Sequence, residues 1–296
     1  MAIAHDFDYC KPRTLAEAVA LLARHGAAAR VLAGGTDLVG WLREATVAPE
    51  ILVDIKGLTE LGGITERNGT LAVGALVTFS DLLASEPARW QLPLLIEMAK
   101  QVGSVGIRNR ATVAGNICSA VPCCDSGPVL LVHEARVRVT AARGERTVPI
   151  AEWFAGPRRS ALAADELVTS LEIPIPAGDH GAAYVKLGRY RGEDLAQASV
   201  AVLALPEREY RIAFGAVAPT PVRAPKIEAL LRGRDLEPEI LAEAQGLVSA
   251  ETAPISDVRA SREYRALMLP IMFEHAIGAA SARLAGDGPP YGSIFL

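Results

Sequence analysis

The sequence predicts an α+β chain divided into two domains, and three observations carry that reading. The chain has 296 residues, a length at which a single core tends to split. Segments of helical period are mixed with short strand-like runs from one end to the other. The stretch Pro174-Ile175-Pro176-Ala177-Gly178-Asp179-His180-Gly181 breaks both periodicities and reads as a linker. The expected domains are residues 1–177 and 182–286.

The first element is a helix. Thr14-Leu15-Ala16-Glu17 has the spacing of a capping box, Leu15, Ala18, Val19 and Leu22 recur on one helical face, and Gly26 supplies the stop. Apolar runs around Val31, at Ile51-Leu52-Val53-Asp54-Ile55 and at Thr70-Leu71-Ala72-Val73 read as strands separated by turn residues. Thr78-Phe79-Ser80-Asp81 caps a short helix, and residues 94–102 form another. Pro128 sits in the first turn of a further helix, where its missing N–H costs nothing. Arg136-Val137-Arg138-Val139-Thr140 and the run from Leu167 to Ile173 alternate as strands do.

Beyond the linker, Ser199 to Leu205 and Tyr210 to Val217 form a hairpin about Pro206-Glu207-Arg208-Glu209. Helices follow near Ile227–Arg232, Pro238–Ser249 and Val258–Leu284, the last with Pro270 as a kink or break.

The 30 basic and 34 acidic residues give a net charge of −4 without a basic block, which argues against nucleic acid or an anionic membrane surface as partner. The segment Met1 to Asp8 has no basic and apolar leader pattern, and no apolar stretch is long enough to span a bilayer. A cytoplasmic protein without membrane insertion is expected. Four cysteines are too few for a disulfide framework. Cys118, Cys123 and Cys124 read as small apolar residues in a tight loop; an iron–sulfur cluster would need four cysteinyl ligands, and the distant Cys10 is a poor fourth. His5, His25, His133, His180 and His275 show no metal-ligand spacing, so no metal site is expected.

Two glycine-bearing segments roughly 80 residues apart carry the chemistry: Ala33-Gly34-Gly35-Thr36-Asp37 and Thr112-Val113-Ala114-Gly115-Asn116. Each pairs glycine, which lets backbone N–H groups converge on an anion, with a Thr or Asn donor. Either alone fits a plain strand-to-helix turn, whereas the pair suits a diphosphate. Gly34-Gly35 also stands between a strand-like and a helix-like run, the setting of a phosphate loop. The first segment lacks the Lys-Ser/Thr of a P-loop and the third glycine of a Rossmann fingerprint, which disfavours an ATPase or a Rossmann dehydrogenase.

These segments, with Pro122-Cys123-Cys124-Asp125, Lys186-Leu187-Gly188-Arg189 and Glu193-Asp194-Leu195-Ala196, resemble in order and spacing the FAD-binding medium subunit of the xanthine dehydrogenase and carbon monoxide dehydrogenase family of molybdenum hydroxylases. The resemblance covers nearly the whole chain. It implies a two-domain flavoprotein: an FAD-binding domain of the vanillyl-alcohol oxidase and para-cresol methylhydroxylase type, then a small C-terminal domain of antiparallel sheet and helices.

It also implies site residues. The flavin pyrophosphate would lie between the two loops, with Leu32, Ala33, Gly34, Gly35, Thr36, Asp37 and Leu38 on one side and Thr112, Ala114, Gly115, Asn116 and Ser119 on the other. A side chain at Gly34 or Gly115 would then fill the space of a phosphate oxygen. Asp37 would orient the loop by accepting backbone N–H bonds, touch a sugar hydroxyl or cap the following helix. The family usually has two glycines where this chain has Ala114-Gly115, so a left-handed backbone at Ala114 would be costly. Asp125 would contact the ribityl or flavin region, cap the helix at Pro128, or both. Lys186 would lie near the flavin and raise its potential, and Leu167 and Val168 would pack near the isoalloxazine. Arg189, Arg191 and Asp194 are expected to be structural.

The implied function is an electron exit. A large subunit with the molybdenum cofactor oxidises the substrate, a small subunit with two [2Fe–2S] clusters relays electrons, and noncovalent FAD on this chain delivers them to an acceptor. The implied assembly is a dimer of heterotrimers, and no catalytic residue is expected on this chain. Two other readings stand beside it: a self-sufficient FAD-dependent oxidase of the same fold, for which the C-terminal segment is too short to supply a substrate cap, and a noncatalytic nucleotide-binding module.

Overall fold

The structure, a computed structural model, describes residue 3, residues 5–190 and residues 193–296. The leader reading at Met1, Ala2 and Ala4 and the role expected of Arg191 lie outside the described residues.

The first helix, Leu15–His25, buries the face of Ala18, Val19 and Leu22 and ends at Gly26 in a left-handed conformation (φ 50°). Thr14 caps it as expected, its Oγ1 accepting the Glu17 N–H at 3.2 Å. The Glu17 carboxylate reaches one residue further back and accepts the Arg13 N–H at 2.7 Å. This helix connects two strands of a three-stranded parallel sheet in the order Asp8–Cys10, Ile51–Asp54, Ala29–Leu32. The central strand is a continuous run of buried residues, as a parallel strand covered on both faces must be.

A five-stranded antiparallel sheet follows, in the order Ile64–Arg67, Thr70–Gly74, Leu167–Pro174, Arg136–Ala141, Gly144–Pro149. Between its second and third strands in chain order lie the short helices that build the site. Phe79–Ala84 begins at a full capping box of Thr78 and Asp81. Pro93–Ala99 ends at Ala99, short of the expected end at residue 102. Ser126–Val132 is wholly buried.

The second domain is a four-stranded antiparallel sheet in the order Gly181–Leu187, Ala198–Leu205, Glu209–Gly215, Val222–Arg223. Its residues alternate between two cores, because successive strand side chains point to opposite faces. Ala183, Val185, Val200, Val202, Ile212 and Phe214 face the helices Pro225–Leu231, Pro238–Glu251 and Arg262–Ala285. Ala182, Tyr184, Ala201, Leu203 and Ala213 face the first domain and join its core. The sheet is therefore the partition between the domains.

Two boundaries differ from the periodicity. The last helix starts at Arg262, since Asp257 accepts the N–H groups of Arg259 and Ala260 in a turn and Ser261 caps the helix. Pro270 does not break that helix. It removes a single N–H, and buried Leu269, Met272 and Phe273 hold the turns on either side of it.

The domains are also joined by a buried ion pair. Arg283 of the last helix meets Glu97 of Pro93–Ala99 at 2.9 Å, with side-chain exposures of 4% and 0%. Removing one member of such a pair leaves an uncompensated buried charge, so Arg283→Met should cost about 3–5 kcal/mol in urea unfolding. Glu97→Leu combined with Arg283→Met should cost less than Arg283→Met alone.

Candidate functional site

The parallel sheet delivers the first loop. Ligand sites of parallel sheets lie beyond the carboxyl ends of the strands, and Ala29–Leu32 ends there, running through residues 33–37 into the helix Leu38–Arg43. Gly35 has φ +77°, a conformation other residues adopt at a cost. Gly34 lies flat against the second loop: a Cβ there would stand 2.7 Å from the Arg110 carbonyl carbon and closer still to its oxygen. The reason for glycine at 34 is thus corrected, because a side chain would meet the Arg110 backbone before it met any ligand. Among the described residues, the backbone N–H groups of Gly34, Gly35, Thr36, Asp37 and Leu38 find no acceptor. They are the unpaired donors of a helix N-terminus, held beside a cleft.

Asp37 departs from two of its expected roles. It occupies the N-cap position without a side-chain cap bond and accepts no backbone N–H. It accepts instead from the Ser119 hydroxyl at 2.5 Å, tying the two loops together. Leu32 does not line the cleft; its side chain packs behind the loop with Leu38, Leu42 and Leu52.

The second loop is the start of the helix Val113–Ser119, capped by Thr112, whose Oγ1 accepts the Gly115 N–H at 2.9 Å. A Cβ on Gly115 would collide with that same hydroxyl, so here too the obstacle is protein rather than ligand. Ala114 is buried inside the helix in ordinary helical conformation, so alanine there carries no left-handed penalty. Asn116 accepts from the Ser126 hydroxyl through Oδ1, which leaves its amide NH₂ without a protein acceptor among the described residues. Thr112, Ala114, Gly115, Asn116 and Ser119 all line the cleft.

Opposite, Leu167 and Val168 line the cleft from the start of a central strand whose register shifts between Val168 and Ser170. Asp125 lines it too, yet makes no cap bond to the helix it precedes. Each of its carboxylate oxygens accepts one bond from the second domain: Tyr184 Oη donates to Oδ1 at 2.7 Å and Lys186 Nζ to Oδ2 at 2.9 Å. Burial pushes the Asp125 carboxyl above its ordinary value, while Lys186 and Tyr184 pull it back down. Lys186 does not line the cleft; it stands behind Asp125 and gives a further bond to the Gln101 carbonyl at 2.8 Å. Lys186 therefore makes no direct contact with the cleft, and its hydrogen bond to the cleft wall is made to Asp125.

Several cleft residues carry no sequence signal. Arg158 stacks over Trp41 at 5.8 Å from the ring centroid, and Tyr190 and Arg259 come from loops of the second domain. Arg189 and Asp194, expected to be structural, pair at 3.3 Å and also line the cleft. The Cys118 thiol is pushed up to about 12 by burial, and burial raises Cys123 and Cys124 as well. These thiols stay neutral, as apolar wall. Glu166, on the same wall, is held down to about 2 by Arg146, with Ala163 N–H and Arg143 assisting.

The cleft encloses about 1030 Å³, at the upper end of the range for cofactor sites. It offers one wall of free backbone donors and another of apolar side chains. That combination fits a diphosphate joined to a flat ring system, and FAD satisfies it. Fold and cleft together define a two-domain protein built to hold a dinucleotide cofactor.

Comparisons with known proteins place it further. The family described as FAD binding domain in molybdopterin dehydrogenase matches residues 5–176, and that described as CO dehydrogenase flavoprotein C-terminal domain matches residues 182–280. The chain is 34% identical over 280 residues to the carbon monoxide dehydrogenase medium chain of Afipia carboxidovorans, covering 94% of this chain and 97% of that one. It is 33% identical over 284 residues to the xanthine dehydrogenase FAD-binding subunit of Escherichia coli O157:H7, with the same coverages. A carbon monoxide dehydrogenase structure from Hydrogenophaga pseudoflava superposes with a TM-score of 0.92 at 35% identity, covering 96% of this chain and 99% of that one. Quinoline 2-oxidoreductase from Pseudomonas putida 86 gives 0.88 at 27%, with coverages of 97% and 99%. The chain belongs to the FAD-binding medium subunits of the molybdenum hydroxylases, the xanthine dehydrogenase and carbon monoxide dehydrogenase family, and is an oxidoreductase subunit. No helix among the described residues is long and apolar enough to cross a membrane.

Two measurements check this geometry. Gly34→Ala should lower stability by about 1–3 kcal/mol through overpacking against Arg110, read as a fall in Tm of the cofactor-free chain. Glu166 has a folded pKa depressed from 4.5 to about 2, so its contribution is complete above pH 4.5 and is lost as pH falls toward 2. The Tm difference between wild type and Glu166→Gln should accordingly be largest above pH 4.5 and shrink across that window.

Proposed function

We propose that this chain binds one noncovalent FAD in the cleft and is the electron exit of a cytoplasmic molybdenum hydroxylase complex. Its partners are a molybdenum-cofactor large subunit and a [2Fe–2S] small subunit, assembled as a dimer of heterotrimers. The observation that carries this reading is the row of unpaired N–H donors from Gly34 to Leu38, locked beside the second loop by the Gly34–Arg110 contact. Those donors, with Thr36 Oγ1 and the Ala33 backbone, would receive the diphosphate. Asn116 Nδ2 and the Ala114 N–H would add donors from the other side, while Leu38, Thr112, Gly115 and Ser119 shape the loops around it.

Leu167 and Val168 would cover one face of the ring system and exclude water. Asp125, with Lys186 behind it, would present a fixed carboxylate acceptor. Bound FAD supplies the change from single-electron to two-electron transfer. Four cleft carboxylates are already engaged: Asp37 by Ser119, Asp125 by Tyr184 and Lys186, Glu166 by Arg146, and Asp194 by Arg189. None of these four is free to act as a general base, and Glu193, the fifth carboxylate lining the cleft, is solvent-exposed.

Flavin extracted from the native complex by mild denaturation should be FAD, at about one per copy of this chain; recovery of FMN or a covalently retained flavin counts against the reading. Gly35→Val, which forces a branched residue to φ +77°, should weaken FAD at least about tenfold, or 1.4 kcal/mol, in a fluorescence titration. The isolated, FAD-loaded chain should leave organic substrates untouched. Substrate-dependent flavin reduction at the rate of a whole enzyme would instead favour a self-sufficient oxidase.

A further inference from the structure

We propose that Tyr184 of the second domain is a positioning residue for the cofactor, its hydroxyl fixing the orientation of the Asp125 carboxylate in the cleft wall. This inference rests on the FAD reading and adds the second domain to the site. Strand alternation sends Ala182, Tyr184 and Lys186 to the face that meets the first domain, and Tyr184 is fully buried there. Its backbone is held on both sides. The Tyr184 N–H donates to Glu97 Oε1 at 2.8 Å, and the strand pairs Tyr184 with Ala201. The ring therefore approaches Asp125 from an anchored base.

The chemistry divides between two donors. An aspartate side chain turns easily about its terminal torsion, where the preference is broad and roughly two-fold. Lys186 alone, bonded to Oδ2, would neutralise the charge without choosing an orientation. The Tyr184 bond to Oδ1 chooses it, since the two donors are held on one strand at a spacing of two residues. A carboxylate has roughly four acceptor positions, of which these bonds use two. The remaining lone pairs, on a residue that lines the cleft, are held ready for a hydroxyl or ring N–H of the bound cofactor. Burial and the Asp125 charge keep the Tyr184 hydroxyl protonated well beyond neutral pH, so it remains a donor.

The test is a double-mutant cycle on FAD affinity in the full chain, comparing wild type, Tyr184→Phe, Asp125→Asn and the combination, with Tm recorded for each. Tyr184→Phe should keep its fold and weaken FAD about tenfold, and the double variant should bind no more weakly than Asp125→Asn alone. Unchanged affinity in Tyr184→Phe, or losses that multiply in the double variant, would overturn the positioning role. A wild-type chain that takes up no FAD would overturn the FAD reading and this inference with it. Should Tyr184→Phe fail to fold, the FAD-loaded wild-type crystal structure decides: an Asp125 oxygen within hydrogen-bond distance of FAD supports the role, and both oxygens out of reach refute it.

Discussion

Glu97 is buried in the first domain and has no charged neighbour of its own element to balance it; Arg283, reaching across from the last helix of the second domain, supplies the balance at 2.9 Å. Its two oxygens also accept the N–H groups of Tyr184, at 2.8 Å, and of Gly292, at 2.7 Å. One carboxylate thus gathers the domain-partition strand, the last helix and the carboxyl-terminal tail. A buried ion needs this many partners because leaving water costs several kcal/mol, which a single contact does not recover. Arg283 lies in turn over Tyr291 at 4.1 Å, closing the tail on the same point.

The cofactor cleft inherits its rigidity from that junction. The strand Gly181–Leu187 is pinned to Glu97 by its backbone and to Asp125 by the side chains of Tyr184 and Lys186. Both carboxylates belong to the first domain, and their neutralising cations belong to the second. Sliding one domain over the other would break two buried ion pairs at once, so a relative shift is opposed by electrostatics as well as by the shared apolar face of the sheet.

The far side of the cleft is held differently. The two glycine-bearing loops touch through backbone at Gly34 and Arg110 and are tied by Ser119 and Asp37. Neither contact consumes the N–H groups that face the cleft. Tight loop-to-loop packing and free donors coexist because the packing uses carbonyls and side chains. A preorganised set of donors reduces the ordering cost of receiving an anion.

Many of the secondary elements of both domains, the position of the glycine loops and the family resemblance are legible in the sequence itself, because they depend on local chemistry and motif order. Capping residues at Thr14 and Thr78, the glycine stop at Gly26 and two-residue alternation along Arg136–Ala141 act within a few positions of one another. What Gly34 packs against, what Asp37 binds and where the Lys186 ammonium goes depend on residues about 60 to 80 positions away, which no local pattern encodes. The same holds for Trp41 beneath Arg158 and for Tyr184 against Asp125. Sequence determines which groups are available and on which face of a strand or helix they stand. Only the tertiary structure decides which buried charge meets which partner, because desolvation forces each to be paired by whatever the chain folds against it.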